Sequence, residues 1–127
     1  MHIKTWLQDS KKFVYIFLGY FVLLTFLLLK SGVKIGDHSI FEITNGDKIL
    51  HFIAFSGLSF LCLMAFRKMS NAFVFLIFFL YGGIIEIIQG IYIVGRSADF
   101  FDLLADCLGV LIGIFIVRKV FNFITVI

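Results

Sequence analysis

Residues 72–90 read AFVFLIFFLYGGIIEIIQG. From Ala72 to Ile85 there is no charged side chain, and Glu86 and Gln89 come only in the last turns. A soluble surface helix carries polar residues along one face at a period of 3.6, and nothing of the kind precedes Glu86. The stretch reads as a membrane span, built from the roughly 20 apolar residues that a ~30 Å hydrocarbon layer demands. Glu86 then becomes the informative residue, because a carboxylate near hydrocarbon is costly unless it is paired or wetted.

Three other stretches share this character: Phe13 to Leu29, which is free of charge and closed by Lys30, then Ile49 to Phe66, and Phe101 to Val117. The whole chain agrees with them. Its 127 residues are 61% hydrophobic and 15% charged, with eighteen Phe, no Pro and a mean hydropathy of +1.10, whereas a globular chain is roughly 25% charged. The expected fold is all-α, a multi-pass membrane protein with transmembrane helices at about 13–29, 49–66, 72–88 and 101–117, packed as an antiparallel bundle in one domain over 1–127. Only Arg67 to Asn71 separates the second and third spans, so these form a hairpin. Val120 to Ile127 is too short to span and is expected at the interface or against the bundle. The basic start also suits a secretory signal. Phe13 to Leu29 exceeds the usual h-region, however, and Lys30-Ser31-Gly32-Val33 offers no small-residue cleavage pattern, so a retained helix is expected. Without polar residues beyond Thr25, it reads as a lipid-facing anchor.

The net charge of +3 does not indicate nucleic acid, since the basic residues lie at the ends of apolar runs rather than on a stripe with interleaved aromatics. Membrane lipids are the expected partners. Cys62 and Cys107 fall inside apolar runs and behave as small hydrophobes, with no disulfide expected. Lys4, Lys11, Lys12, Arg67, Lys68, Arg118 and Lys119 share one side of a four-span topology, against Lys30, Lys34, Lys48 and Arg96 on the other. This asymmetry places both termini in the cytoplasm.

Under that topology the polar residues collect in one outer layer. Asp47, Lys48 and His51 open the second span, Glu86 and Gln89 close the third, and Arg96, Asp99, Asp102 and Asp106 lead into the fourth. Asp47 and His51 are one helical turn apart, where a carboxylate would orient the imidazole ring, although Asp47 also reads as a helix cap. Gly82, Gly83 and Gly90 lie on or near the face of Glu86 and Gln89, suggesting close approach of another helix. Asp99, Asp102, Asp106, Gly109 and Gly113 alternate spacings of three and four and so draw one stripe, acidic at its outer end and a Gly-xxx-Gly contact at its inner end. Bare carboxylates in such a stripe repel, so Arg96, Lys48 or a bound cation must neutralise some of them. Asp99 also reads as a cap.

Several chemistries compete for this set. Glu86, Asp102 and His51 are the candidate catalytic groups, as acid and base toward a lipid-linked substrate. His51 with Glu86, Asp102 or Asp106 has metal-ligand types, but there is no second histidine in an apolar run and no short zinc-type spacing. No metal or cofactor is therefore expected. Ser56 and Ser59 lack a Gly-x-Ser-x-Gly turn, and phosphate-binding glycine loops are absent. An ion or proton pathway remains open as an alternative, yet the inner halves of these spans offer no charge to continue it, which favours a one-sided site.

The succession Asp47-Lys48-x-x-His51-Phe52-x-x-Phe55, Glu86-x-x-Gln89, Gly95-Arg96-Ser97-x-Asp99-x-x-Asp102 and Gly109-x-x-x-Gly113 resembles the VanZ-like family of small bacterial membrane proteins over about residues 45–117. The resemblance implies a bacterial plasma-membrane protein of the cell envelope and a link with resistance to the glycopeptide teicoplanin. The topology makes the polar layer an outward-facing pocket of the second, third and fourth spans. In that pocket Arg96 and Lys48 would meet an anionic envelope precursor or a glycopeptide, while Asp47, His51, Glu86, Gln89, Asp99, Asp102 and Asp106 would complete the site. A membrane-embedded enzyme acting on a lipid-linked envelope precursor, or an ion- or proton-coupled transporter, are the other readings. The chain departs from the family pattern at Asp106, where asparagine is expected.

Overall fold

The computed structural model describes residues 8–30, 46–93 and 97–126. Among these are four α-helices: α1 (Ser10–Leu29), α2 (Gly46–Ala65), α3 (Asn71–Tyr92) and α4 (Phe100–Val126). Each is long and apolar enough to cross a membrane. At 1.5 Å per residue, α1 and α2 extend about 30 Å and α4 about 40 Å. The chain is an all-helical, multi-pass membrane protein.

The outer surface is apolar, as lipid requires. Val22, Leu23 and Phe26 on α1, Phe73, Leu76 and Leu80 on α3, and Leu111 and Phe115 on α4 all face outward. Inside, Phe55, Leu58, Leu63 and Met64 of α2 pack with Val74 and Phe78 of α3 and Val110 and Val117 of α4. Helix direction follows from the cross-contacts. Tyr20 and Phe17 of α1 meet Ala54 and Phe66 near α2, and Gly82 and Asn71 of α3 meet Asp106 and Arg118 of α4, so sequence neighbours run antiparallel. Consequently α2 and α4 are parallel, and their amino-terminal ends lie beside the carboxy-terminal ends of α1 and α3.

The parallel pair α2 and α4 makes the closest approach in the bundle. A Cβ on Gly109 would strike the Phe52 carbonyl oxygen, and one on Gly113 would strike Ser59 Oγ and the Ser56 carbonyl oxygen. The Gly-xxx-Gly end of the α4 stripe is thus the groove into which α2 fits. Ser59, fully buried in this contact, donates to the Ser56 and Val110 carbonyls at 3.1 Å each. Gly82 is also close-packed, with Asp106 Oδ2 at 2.9 Å from a Cβ placed there. Gly90 faces the Ala98 backbone in the same way. Gly83 does not belong with them: nothing lies within 4 Å of its Cβ position, because one residue of helix rotates it about 100° away from Gly82.

Two features differ from the expectation. The apolar tail after Val117 is no separate element but the last turns of α4, since no Gly or Pro interrupts the run from Ile114 to Val126. At this end Arg118 donates from Nε to Asn71 Oδ1 at 2.8 Å and from Nη2 to the Met69 carbonyl, pinning α4 to the α2–α3 turn. Ser70 caps α3 by accepting the Phe73 amide hydrogen. The second difference concerns α1. Its surface is mostly outward, yet Tyr20 donates to the Ala54 carbonyl at 2.8 Å and the Thr25 hydroxyl lies 2.7 Å from that of Tyr81, so it is bonded into the bundle and is more than an anchor.

Candidate functional site

The polar layer lies where α2 and α4 begin and α1 and α3 end. Exposure falls steadily into the bundle: the side chains of Asp47, Asp99 and Lys48 are 41%, 34% and 27% exposed, and those of Asp102, His51 and Asp106 are 11%, 7% and 2%. The site therefore has a wet mouth and a dry floor.

At the mouth, Lys48 Nζ lies 3.0 Å from Asp99 Oδ2, 3.4 Å from Asp102 Oδ1 and 3.7 Å from Asp47 Oδ2. One ammonium thus ties the start of α2 to the start of α4. Asp99 serves two functions at once. Its Oδ1 accepts the Phe101 amide hydrogen at 2.8 Å, capping α4, while Oδ2 accepts from Lys48. The Phe101 amide, with Lys48 beside it, holds the Asp99 carboxyl below the usual carboxylate range. Asp47 is turned back on its own helix, accepting the Lys48 backbone hydrogen at 2.9 Å.

On the floor, His51 Nδ1 lies 2.8 Å from Asp106 Oδ1, and the ring stacks against Phe55. The carboxylate that orients His51 is therefore Asp106, 55 positions away. Asp47, one turn away in sequence, does not reach it because its side chain is engaged at the helix start. Glu86 Oε2 accepts the Asp99 backbone hydrogen at 3.0 Å, so α3 holds the segment leading into α4. Gln89 donates to the Leu28 carbonyl at 2.8 Å, satisfying an end carbonyl of α1.

Several floor oxygens have no hydrogen-bond partner. Glu86 Oε1, Asp102 Oδ1 and Asp106 Oδ2 are buried and unsatisfied, and Asp102 Oδ1 lies at ion-pair distance from Lys48 without hydrogen-bond geometry. One ring nitrogen of His51 and one carboxylate oxygen each of Glu86 and Asp102 lie within 4.8 Å of one another. Chain spacing conceals this set, because its members come from three helices; the expectation of no metal site rested on the lack of a second histidine and of short zinc-type spacing.

Of the residues singled out in sequence, Asp47, Lys48, His51, Glu86, Asp99, Asp102 and Asp106 are brought together, Gln89 binds α1 beside them, and Arg96 lies outside the described residues. Sequence reasoning missed Leu28, Thr25 and Tyr20 as bundle partners. Tyr20 carried a signal, since a phenol inside an apolar span needs an acceptor.

An all-helical membrane bundle with a buried carboxylate–imidazole site at one end defines the class of this protein. Over residues 6–123 the chain matches the family model VanZ/LLP1, and it belongs to that family. Neither a curated protein nor a solved structure matches it.

Proposed function

We propose that this VanZ-family protein holds the polar head of a membrane-borne ligand against the carboxylate–imidazole layer, at the outer face of a bacterial plasma membrane with both termini in the cytoplasm. The ligand is a lipid-linked envelope precursor or a glycopeptide, and resistance to teicoplanin is one cellular output of such binding. The observation that carries this reading is the graded site itself, in which three helices deliver charged groups to one end of an otherwise apolar bundle. Charges inside membrane proteins are retained where they line a ligand or ion route, because their burial otherwise only destabilises the bundle. Lys48 and Arg96 supply positive charge toward an anionic head group. Lys48 is shared among three carboxylates, so a ligand anion takes it over only by displacing Asp47 or Asp99.

Native mass spectrometry of the protein in nanodiscs containing a lipid-linked peptidoglycan precursor tests the reading. Wild type and Lys119→Ala retain one precursor per chain, and Lys48→Ala loses at least tenfold in affinity. Equal retention by Lys48→Ala and wild type would exclude the mouth as the binding site.

The His51–Asp106 pair favours a second reading, since a carboxylate at one imidazole nitrogen prepares the other for general-base work beside Glu86. In that case Glu86→Gln binds the precursor yet releases no product from a radiolabelled sample, whereas wild type does. Binding without turnover in both proteins leaves the non-catalytic reading standing.

A further inference from the structure

We infer that His51, Glu86 and Asp102 form the seat of a divalent transition-metal ion, manganese or zinc in type, at the floor of the site. Four observations converge on it. First, the three side chains already place their donor atoms within 4.8 Å of one another. Donors bound to one ion at about 2.0–2.2 Å in tetrahedral geometry lie ~3.3–3.6 Å apart, so a closing of no more than ~1.5 Å by side-chain rotation brings the set to that spacing. Second, two of the three have a buried oxygen with no hydrogen bond, Glu86 Oε1 and Asp102 Oδ1, although these residues are only 5% and 8% exposed. Asp102 Oδ1 has the Lys48 ammonium at 3.4 Å without hydrogen-bond geometry, whereas Glu86 Oε1 has no protein partner, and a carboxylate oxygen at that depth is costly unless a cation satisfies it.

Third, Asp106 engages His51 through Nδ1 at 2.8 Å. A second carboxylate at one ring nitrogen fixes the tautomer and leaves the other nitrogen, Nε2, as the one to donate to a metal. Asp106 is thereby a positioning residue for the seat. Fourth, among the described residues the five carboxylates of Asp47, Glu86, Asp99, Asp102 and Asp106 gather with Lys48 and His51, an excess of negative charge within that set. With His51 bound as the neutral imidazole, a dication offsets about half of that excess without any further side chain.

The donor types narrow the ion. One imidazole with two carboxylates is too nitrogen-poor for copper or nickel and too nitrogen-rich for calcium or magnesium, and suits zinc or manganese with at least one open position. That position is available to water or, if the head-group reading above holds, to an oxygen of the ligand. In this way a carboxylate-rich floor meets an anionic head. The seat itself stands without that reading.

The test uses the full chain, purified in detergent, stripped with a chelator and titrated with Mn²⁺ or Zn²⁺ in the absence of any added lipid. Plasma mass spectrometry of desalted protein is expected to find one ion per chain in wild type and Lys119→Ala. His51→Ala, Glu86→Gln and Asp102→Asn lose stoichiometric binding, and Asp106→Asn binds about 10–100-fold more weakly. Folding of each variant is checked by circular dichroism and size exclusion. Pulsed electron paramagnetic resonance of Mn²⁺ in wild type needs no variant, and is expected to show nitrogen coupling from a single imidazole. Wild type without stoichiometric metal, metal without nitrogen coupling, or full binding by folded His51→Ala each overturns the seat. None of these results bears on precursor binding, which the nanodisc measurement reads separately.

Discussion

Asp99 shows how much one residue can hold when it lies at a helix start. Its backbone hydrogen goes to Glu86, one carboxylate oxygen caps α4 and the other meets Lys48, so three helices meet at a single position. Both carboxylate bonds need the ionised form. Because these bonds depress the folded-state pKa, their contribution is complete above the unfolded value and is lost as pH falls through the folded one. Thermal melts of helicity are therefore expected to be flat between about pH 5 and 7 with respect to this residue, and to drop once pH passes below about 4, the ordinary aspartate value. Asp99→Asn should be less stable at neutral pH and should lose part of that acid dependence. An unchanged pH profile in Asp99→Asn would remove Asp99 from the account of acid sensitivity. Residue type and spacing made Asp99 legible as a cap. Its link to Glu86 was not, since that bond uses a backbone hydrogen of one helix start and a side chain from another helix.

At the scale of elements, the α2–α4 contact decides how the site is assembled. Their shared direction puts Lys48 beside Asp99 and His51 beside Asp106, and the glycines of α4 let the backbones come close enough for those pairs to form. Gly113→Ala places a methyl group against Ser59 and the Ser56 carbonyl, which overpacks the contact by about 1–3 kcal/mol. Gly83→Ala meets nothing within 4 Å and gains helix propensity, up to about 1 kcal/mol. Melting of the two purified variants should thus move in opposite directions from wild type. Equal losses would mean that α4 does not seat on α2 through Gly113. The spacing stripe from Asp99 to Gly113 was visible in the sequence because a helix repeats every 3.6 residues. The same periodicity could not separate Gly82 from Gly83, as both lay near the Glu86 face and only the position of α4 distinguishes them.

For the whole molecule, four spans put both termini on one side and the polar layer on the other, or at the opposite interface. In the proposed orientation, with the more basic side in the cytoplasm, the layer lies at the outer face. Ser97, exposed just before α4, reports on this directly. In a background with Cys62 and Cys107 replaced, Ser97→Cys should react with a membrane-impermeant maleimide added to intact cells. Labelling that requires lysis would reverse the orientation, and with it the access of any external ligand to the mouth.

Hydropathy and spacing alone determined the four spans, the hairpin at Arg67–Asn71 and the list of polar residues out of place in lipid, because bilayer thickness and helix period act along a single chain. Which of those residues meet was decided only in three dimensions. His51 takes Asp106 rather than Asp47, Glu86 takes the backbone of Asp99, and the donor set of His51, Glu86 and Asp102 draws one member from each of α2, α3 and α4. Such pairings depend on the direction and axial register of packed helices, which side-chain interlocking at Gly109 and Gly113 sets and no local pattern encodes.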